Sequence, residues 1–549
     1  MLNIENVASQ QIYGRREDRH SQIDRNATGV TPVDTTIDWL PCPFNDAPGV
    51  EADFDCANFT VPLDYSDSSS NQTLELSLVR LNATKRPSKG SVLLNPGGPG
   101  GSGFLDVVGS GVATSTVVGG AFDLSEQTAA LEKLPKDLNA SDTAPGNVWT
   151  SMELISDLCN DTAKDVGELI GTTFVVRDMV NIIDALGEDG KLRYWGTSYG
   201  TILGATFAAM FPEKVDKVVL DAVANSHDYQ AGFMKQAIVD TDGALDGFYS
   251  GCIDASDGCV LAQGRTAKEL SSEVGLFLEK LKYSPIPVPD AESPGTITYE
   301  NVKATIFSTL YRPEQWSSLA SDLNQVMAGN VTDLSLLAPS TPSEDGIDGL
   351  VNMGIRCGDS FPPSAKLEEL APVVREEENL SAFAGSLYAT DLFGCVNWKI
   401  QAKERYSGDF VANTSFPLLF IGNSYDPVTP LASALNMSAG FANSAVLHQN
   451  SYGHGSLAQP SLCTAKVIQA YFNNGTVPKN GTVCQPDAKL FANASLSDFL
   501  RELNESSSDR SGKLQARSSD LSENQGGLSA QDAELLDALG ALSRRTTNW

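Results

Sequence analysis

The stretch that most constrains this chain is Lys191-Leu192-Arg193-Tyr194-Trp195-Gly196-Thr197-Ser198-Tyr199-Gly200, which runs on through small and apolar residues to Phe211. Residues 191–195 predict a strand and residues 201–211 a small-residue helix. Gly-x-Ser-x-Gly between them leaves no room for a gradual reversal. The turn must be sharp, and glycine on either side avoids the crowding that a Cβ would cause. A serine at such an apex stands clear of the backbone. In a chain with 47 glycines the bare pattern means little. The strand before it and the helix after it give it weight.

Three further segments supply what a reactive serine needs. The apolar run Ser91-Val92-Leu93-Leu94 ends in Asn95-Pro96-Gly97-Gly98-Pro99-Gly100-Gly101-Ser102-Gly103. A glycine-rich loop after a buried strand can offer a backbone N–H to an oxyanion, with the residue after the serine, Tyr199, offering a second. Pro99 has no N–H, so Gly98 is the expected donor and Gly97 the next choice. The loop lacks the lysine and the spacing of a phosphate-binding loop. Pro417 to Ile421 reads as a strand leading into Gly422-Asn423-Ser424-Tyr425-Asp426-Pro427, and Ser444 to Leu447 as one leading into Asn450-Ser451-Tyr452-Gly453-His454-Gly455-Ser456. Serine, acid and histidine thus follow in that order. The expected roles are nucleophile for Ser198, base for His454 and orienting carboxylate for Asp426, with Asp221 as the alternative acid. The other histidines fit less well: His20 lies in a polar start, His227 opens a helical region, and His448 at a strand end reads as structural.

Strands alternating with helices predict an α/β fold with a mostly parallel sheet. Residues 1–36 read as a flexible extension and 37–224 as the first part of the sheet domain. Residues 225–412 read as a mainly helical inserted cap, with helices expected over Ala267–Leu281 and Pro313–Val326. Residues 413–500 return to the sheet. Residues 501–549 read as a polar tail, with one amphipathic stretch at Ala530–Leu542.

The formal charge of −31 argues against nucleic acid and anionic lipid as partners. No run of about 18 apolar residues exists, so no membrane span is expected. Fourteen Asn-x-Ser/Thr sequons begin at Asn26, Asn58, Asn71, Asn82, Asn139, Asn160, Asn330, Asn379, Asn413, Asn436, Asn474, Asn480, Asn493 and Asn504, against roughly five expected by chance. Together with nine cysteines, they point to N-glycans and a secreted protein, although the first twenty residues show no signal peptide. Neighbours in sequence suggest pairing Cys42 with Cys56, Cys252 with Cys259, Cys357 with Cys395 and Cys463 with Cys484, leaving Cys159. Spacing alone leaves other pairings open. No metal-binding spacing occurs, and neither a metal nor a cofactor is expected.

Together NPGGPGGSG, YWGTSYGTILGATFAAMFPEKVDKVVLD, IRCGDS, YDPVTP and GHGS resemble the prolyl and tripeptidyl aminopeptidase family of α/β-hydrolases, from Trp39 to about Cys484. The resemblance implies an α/β-hydrolase fold and a serine exopeptidase releasing short units from peptide N-termini beneath a helical cap. Some members of the family instead cleave esters or amides of small molecules. An inactive hydrolase fold serving as a binding protein is a third reading. In the family, acidic residues of the cap hold the substrate's α-amino group. Asp359, Glu376, Glu377 and Glu378 lie in that region, and the glutamate run reads as a solvated face. The chain departs from the family after Phe122-Asp123-Leu124, where a central strand carrying Asp-Pro-Arg-Gly and then a cysteine is expected. A cysteine there would be a partner for Cys159.

Overall fold

A computed structural model describes residues 2–4, 34–45, 53–83, 87–101, 136–289, 291, 294–331 and 347–491. The strands in chain order are β1 (Leu2–Ile4), β2 (Leu40–Pro41), β3 (Phe54–Pro62), β4 (Thr73–Leu81), β5 (Leu93–Asn95), β6 (Leu192–Thr197), β7 (Val215–Asp221), β8 (Ile286–Val288), β9 (Gly295–Ile297), β10 (Leu419–Tyr425), β11 (Ala445–Tyr452) and β12 (Val483–Cys484). All but β8 and β9, which pair with each other, form one sheet in the order β12-β11-β10-β7-β6-β5-β1-β4-β3-β2. Pairing is parallel from β12 to β1 and antiparallel from β1 to β2.

Side chains alternate across this sheet and fill a core on each face. Val218 and Leu220 of β7 and Phe420 of β10 join one buried cluster. Val219, Leu419 and Ile421 join the other. The first cluster is covered by α2 (Thr172–Ala185) and α3 (Tyr199–Met210), which follow α1 (Ala144–Gly167) in the chain.

Between β7 and β10 the chain runs through α4 (Ser226–Ala231), α5 (Thr241–Ala255), α6 (Ala267–Tyr283), α7 (Tyr299–Leu310), α8 (Trp316–Met327), α9 (Ile347–Asp359), α10 (Leu367–Leu380) and α11 (Gly385–Asn397). After β10 come α12 (Leu431–Ser438) and α13 (Leu462–Asn474). The inserted helices have their own core, centred on Phe248, Trp316 and Leu323.

Two sequence expectations need correcting. Helix α1 precedes β6, yet its stripe Val148, Met152, Ile155 and Cys159 is buried, and Val148 and Met152 pack on Leu370, Leu392 and Phe393 of α10 and α11. Residues from before 225 thus pack with helices of the 225–412 stretch. A buried Lys303–Asp137 ion pair at 2.5 Å ties the approach to α1 onto α7. The second correction concerns residues 1–36. Leu2–Ile4 is a strand paired on both sides, with Asn3 opposite Val79 of β4 and Leu94 of β5. Three residues carry no readable period, so only the pairing reveals this strand. It occupies the sheet between β4 and β5. The departure after Leu124, the tail 501–549 and the stretch Ala530–Leu542 lie outside the described residues.

The four disulfides are Cys42–Cys56, Cys252–Cys259, Cys357–Cys395 and Cys463–Cys484, and Cys159 is a buried free thiol. No described helix is long and apolar enough to cross a membrane. Among the sequon asparagines described, all are exposed except Asn160, which is half-buried.

Candidate active site

Ser198 stands between β6 and α3 with φ 57° and ψ −124°, a conformation costly for a residue with a Cβ. Its neighbours hold it there. Ser198 N–H donates to Asp221 O at 3.1 Å, and its carbonyl accepts from Thr201 N at 2.8 Å and Thr201 Oγ1 at 2.6 Å. A Cβ on Gly196 would lie 2.4 Å from Gly200 O, and one on Gly200 would lie 2.5 Å from Asn95 O. The Gly-x-Ser-x-Gly spacing is thus a packing requirement as well as a turn requirement. Tyr199 begins α3, so its N–H has no partner within the helix and belongs to the positive end of the helix dipole.

The loop after β5 lies against this turn. A Cβ on Gly97 would lie 2.8 Å from Ser198 Cβ and 3.2 Å from Tyr199 N. Gly97 and Gly98 have φ of 116° and 106°, and the Gly98–Pro99 peptide is cis. The structure therefore places Gly97, the second choice of donor after Gly98, against the elbow that carries Tyr199.

Asp426 and His454 meet at the ends of β10 and β11. The Asp426 side chain is fully buried, and both its oxygens lie 3.0 Å from His454 Nδ1. It also accepts from the N–H groups of Val428, Thr429 and Gly455 and from Thr429 Oγ1, at 2.7–3.0 Å. A carboxyl so supplied with donors is fixed in place. Facing it, Nδ1 carries the proton and Nε2 is left as the acceptor. His454 N–H donates to Tyr311 O at 2.9 Å, and the Tyr311 ring meets the imidazole edge-on at 4.9 Å.

Asp221, the alternative acid, is used otherwise. Its carboxylate accepts from Ser456 N at 3.0 Å and from Ser456 Oγ, which anchors the histidine loop, and burial pushes its pKa up. His448 shares a 2.6 Å hydrogen bond with Ser424 Oγ, in keeping with a structural part. Sequence reasoning missed Asn423, whose Nδ2 donates to Gly453 O at 2.9 Å and Gly455 O at 2.7 Å and so clamps both sides of His454. The available signal was an amide two positions into the end of a buried strand.

The acidic residues Asp359, Glu376 and Glu377 differ in their surroundings. Asp359 is buried and occupied: Oδ1 accepts from Thr172 N at 2.9 Å, and Oδ2 from Thr172 Oγ1 at 2.5 Å and Tyr229 OH at 3.0 Å. Burial lifts its pKa to about 6 against those hydrogen bonds. Glu376 is exposed and pairs with Lys235 at 2.6 Å. Glu377 corrects the solvated-face expectation, because it is 1% exposed and neither carboxylate oxygen has a hydrogen-bond partner among the described residues. It lies on the inward face of α10 with Leu370 and Val374, a spacing of four and three residues that the charge run concealed. Burial, reinforced by Asp391, pushes its pKa to about 8, against the pull of Arg356 and Lys235. Arg356 itself bonds to Asp391, and the Tyr388 side chain shares a hydrogen bond with that of Tyr311.

Among known proteins, a family model described as alpha/beta hydrolase fold matches residues 140–282, and one described as TAP-like protein matches residues 381–484. The chain is 25% identical over 490 residues to serine protease Hip1 of Mycobacterium tuberculosis, covering 82% of this chain and 91% of the relative. It is 25% identical over 501 residues to tripeptidyl aminopeptidase of Streptomyces lividans, covering 84% and 87%. Carboxylesterase B of Mycobacterium tuberculosis is 24% identical over 466 residues, covering 78% and 86%. The sheet, the serine turn and these matches agree: the chain is a serine hydrolase with an α/β-hydrolase fold, and it is similar to the prolyl and tripeptidyl aminopeptidases.

Proposed function

We propose that this protein is a secreted serine exopeptidase that releases short units from peptide N-termini through an acyl-enzyme on Ser198. Ser198 Oγ attacks the scissile carbonyl carbon while His454 Nε2 takes its proton. Asp426 keeps Nδ1 protonated and stabilises the imidazolium that forms. The oxyanion accepts from the N–H groups of Tyr199 and Gly98. As the intermediate collapses, the leaving amine takes the proton from His454, and water then repeats the sequence on the acyl-enzyme.

The observation that carries this reading is the fully buried Asp426 carboxylate on His454 Nδ1, in a chain whose Ser198 is held at a strained turn. The exopeptidase part rests on Glu377. A buried carboxyl with two empty oxygens suits an ammonium group, which brings three N–H donors and a positive charge. Residues 225–412, joined by α1, would form the cap that bounds the substrate. The disulfides and the exposed sequons support an oxidising compartment and N-glycans.

The test has two parts. A fluorophosphonate probe should label the protein, and Ser198→Ala should abolish both labelling and turnover, by roughly 10⁴ to 10⁶. A tripeptidyl anilide with a free N-terminus should be cleaved and its acetylated form should not. Equal cleavage of the two would instead favour an esterase or amidase for small molecules, as the likeness to a carboxylesterase allows.

A further inference from the structure

Among the described residues, two charged side chains keep buried polar atoms without a hydrogen-bond partner, Arg356 and Glu377. Arg356 lies on α9 at 9% exposure, and its Nη1 donates to Asp391 of α11. The Cys357–Cys395 disulfide joins the same two helices beside that pair and limits where the guanidinium can go. Arg356 Nε–H is a buried donor with no acceptor among the described residues. Glu377, on α10, brings two buried acceptors. The Arg356 charge acts on the Glu377 carboxyl and favours its ionised form, yet the two groups do not bond. A donor and two acceptors of opposite charge, in one another's field and unjoined, suit a guest that carries the complement of both.

The ammonium assigned to Glu377 is one half of such a guest. It cannot serve Arg356, because both groups only donate. In a peptide the acceptor nearest the N-terminal nitrogen is the carbonyl oxygen of the same residue, about 3 Å away through three bonds. The charges agree with this pairing. Arg356 is matched by Asp391, so of these three side chains Glu377 alone is uncompensated, and one ammonium neutralises the set. Helix α9 also borders the glycine loop, since a Cβ on Gly100 would lie 3.0 Å from Val351 Cγ1. Arg356 comes five residues after Val351, about 7.5 Å further along the helix axis. Extended chain covers that length in about two residues.

We propose that Arg356 is a specificity-determining residue: its Nε–H holds the carbonyl oxygen of the substrate's first residue while Glu377 holds the ammonium, a later carbonyl enters the oxyanion hole, and the unit released has at least two residues. The proposal rests on the reading of Ser198 as nucleophile and of Glu377 as the ammonium site. A first residue gripped at both ends does not present its own carbonyl to Ser198. Aminoacyl amides, which have no second carbonyl, are then poor substrates. Arginine suits the task, because a planar guanidinium gives one N–H to Asp391 and another, in a fixed direction, to the guest.

The experiment compares the wild-type full chain with Arg356→Lys and Arg356→Met. Lysine keeps a charge beside Asp391 but loses the fixed second donor, and methionine removes both. The substrates are alanyl, dialanyl and trialanyl anilides with free N-termini, the acetylated trialanyl anilide, and a trialanyl anilide whose first carbonyl is a thiocarbonyl, a weaker acceptor. The main readout is the ratio of kcat/KM for the oxo and thio forms, which a loss of folded protein does not move. Wild type should favour the oxo form about tenfold, as one hydrogen bond to a charged group allows, and each variant should bring the ratio to within about twofold of unity. The alanyl anilide must give up both contacts to react, so wild type should cleave it about 100-fold less well than the trialanyl anilide. The same ratio in wild type and both variants, or an alanyl anilide cleaved as well as the longer ones, overturns the proposal. An acetylated anilide cleaved as well as the free one overturns the Glu377 reading beneath it.

Discussion

Replacing Glu377 by glutamine separates substrate recognition from stability, because the two should move in opposite directions. A charge-assisted hydrogen bond between an ammonium and a buried carboxylate is worth about 1.5–3 kcal/mol. Glu377→Gln should therefore lower kcat/KM for a free-amino peptide about 10- to 100-fold. Simple esters and acetylated amides, which bring no ammonium, should be hydrolysed as before. The stability effect follows from the same isolation. The carboxyl is shifted from 4.5 to about 8 by burial and by Asp391. Between those values the folded protein keeps a proton that the unfolded chain has lost, so stability falls as pH rises through this window. The integrated penalty by pH 9 is about 5 kcal/mol at most. Glutamine does not ionise, so the variant should melt close to wild type near pH 4.5 and above it at pH 9. Thermal unfolding across pH 5–9, run beside kinetics on the two peptide forms, checks both halves. Parallel melting curves would refute the isolated carboxyl, and equal losses on free and acetylated peptides would refute its role in binding the amine.

Asp426→Asn should keep the fold but cut kcat by about 10⁴, since an amide no longer enforces the Nδ1–H tautomer, and an unchanged rate would move the acid elsewhere. The amide would also face buried N–H donors such as that of Gly455, so thermal unfolding should show a loss of about 1–3 kcal/mol. Cys159 is buried, and burial pushes its thiol up to about 11. Ellman titration without reductant should find no reactive thiol in the native protein and a single one after denaturation.

What could be read from the sequence was local. Ser198, Asp426 and His454 each sit where a predicted strand meets a loop, and such junctions survive in a linear pattern. The disulfide partners are close in sequence too, the longest separation being 38 residues between Cys357 and Cys395. What escaped depends on chain segments that meet only when folded. Thr172 and Asp359 are 187 residues apart, and neither predicts the other. Helix α1 precedes β6 in the chain yet packs on α10 and α11. β1 is too short for any period, and its place in the sheet comes from β4 and β5. Glu377 is the instructive miss. Its two neighbours are exposed or half-buried charges, and the run looked like one solvated face until helical spacing placed it in line with Leu370 and Val374.

Counting the donors around each buried carboxyl sorts these groups further than charge or position does. Among the described residues the buried carboxyls are Asp64, Asp137, Asp178, Asp221, Asp359, Glu377 and Asp426. Lys403 and Ser66 serve Asp64, Lys303 serves Asp137, and Tyr65 serves Asp178. Asp221 holds the histidine loop, Asp359 the start of α2, and Asp426 the imidazole. Each of these six is part of the framework, and losing it would leave donors orphaned. Among the described residues Glu377 is the one buried carboxyl of these seven that accepts no hydrogen bond. A carboxyl in that state weakens the fold without supporting any neighbour. Bringing an ammonium against it reverses the balance, because the cation favours the ionised form and fills the empty acceptors at once. A substrate whose N-terminus is blocked supplies neither effect. Selection of free N-termini would then follow from leaving one buried carboxyl unpaired.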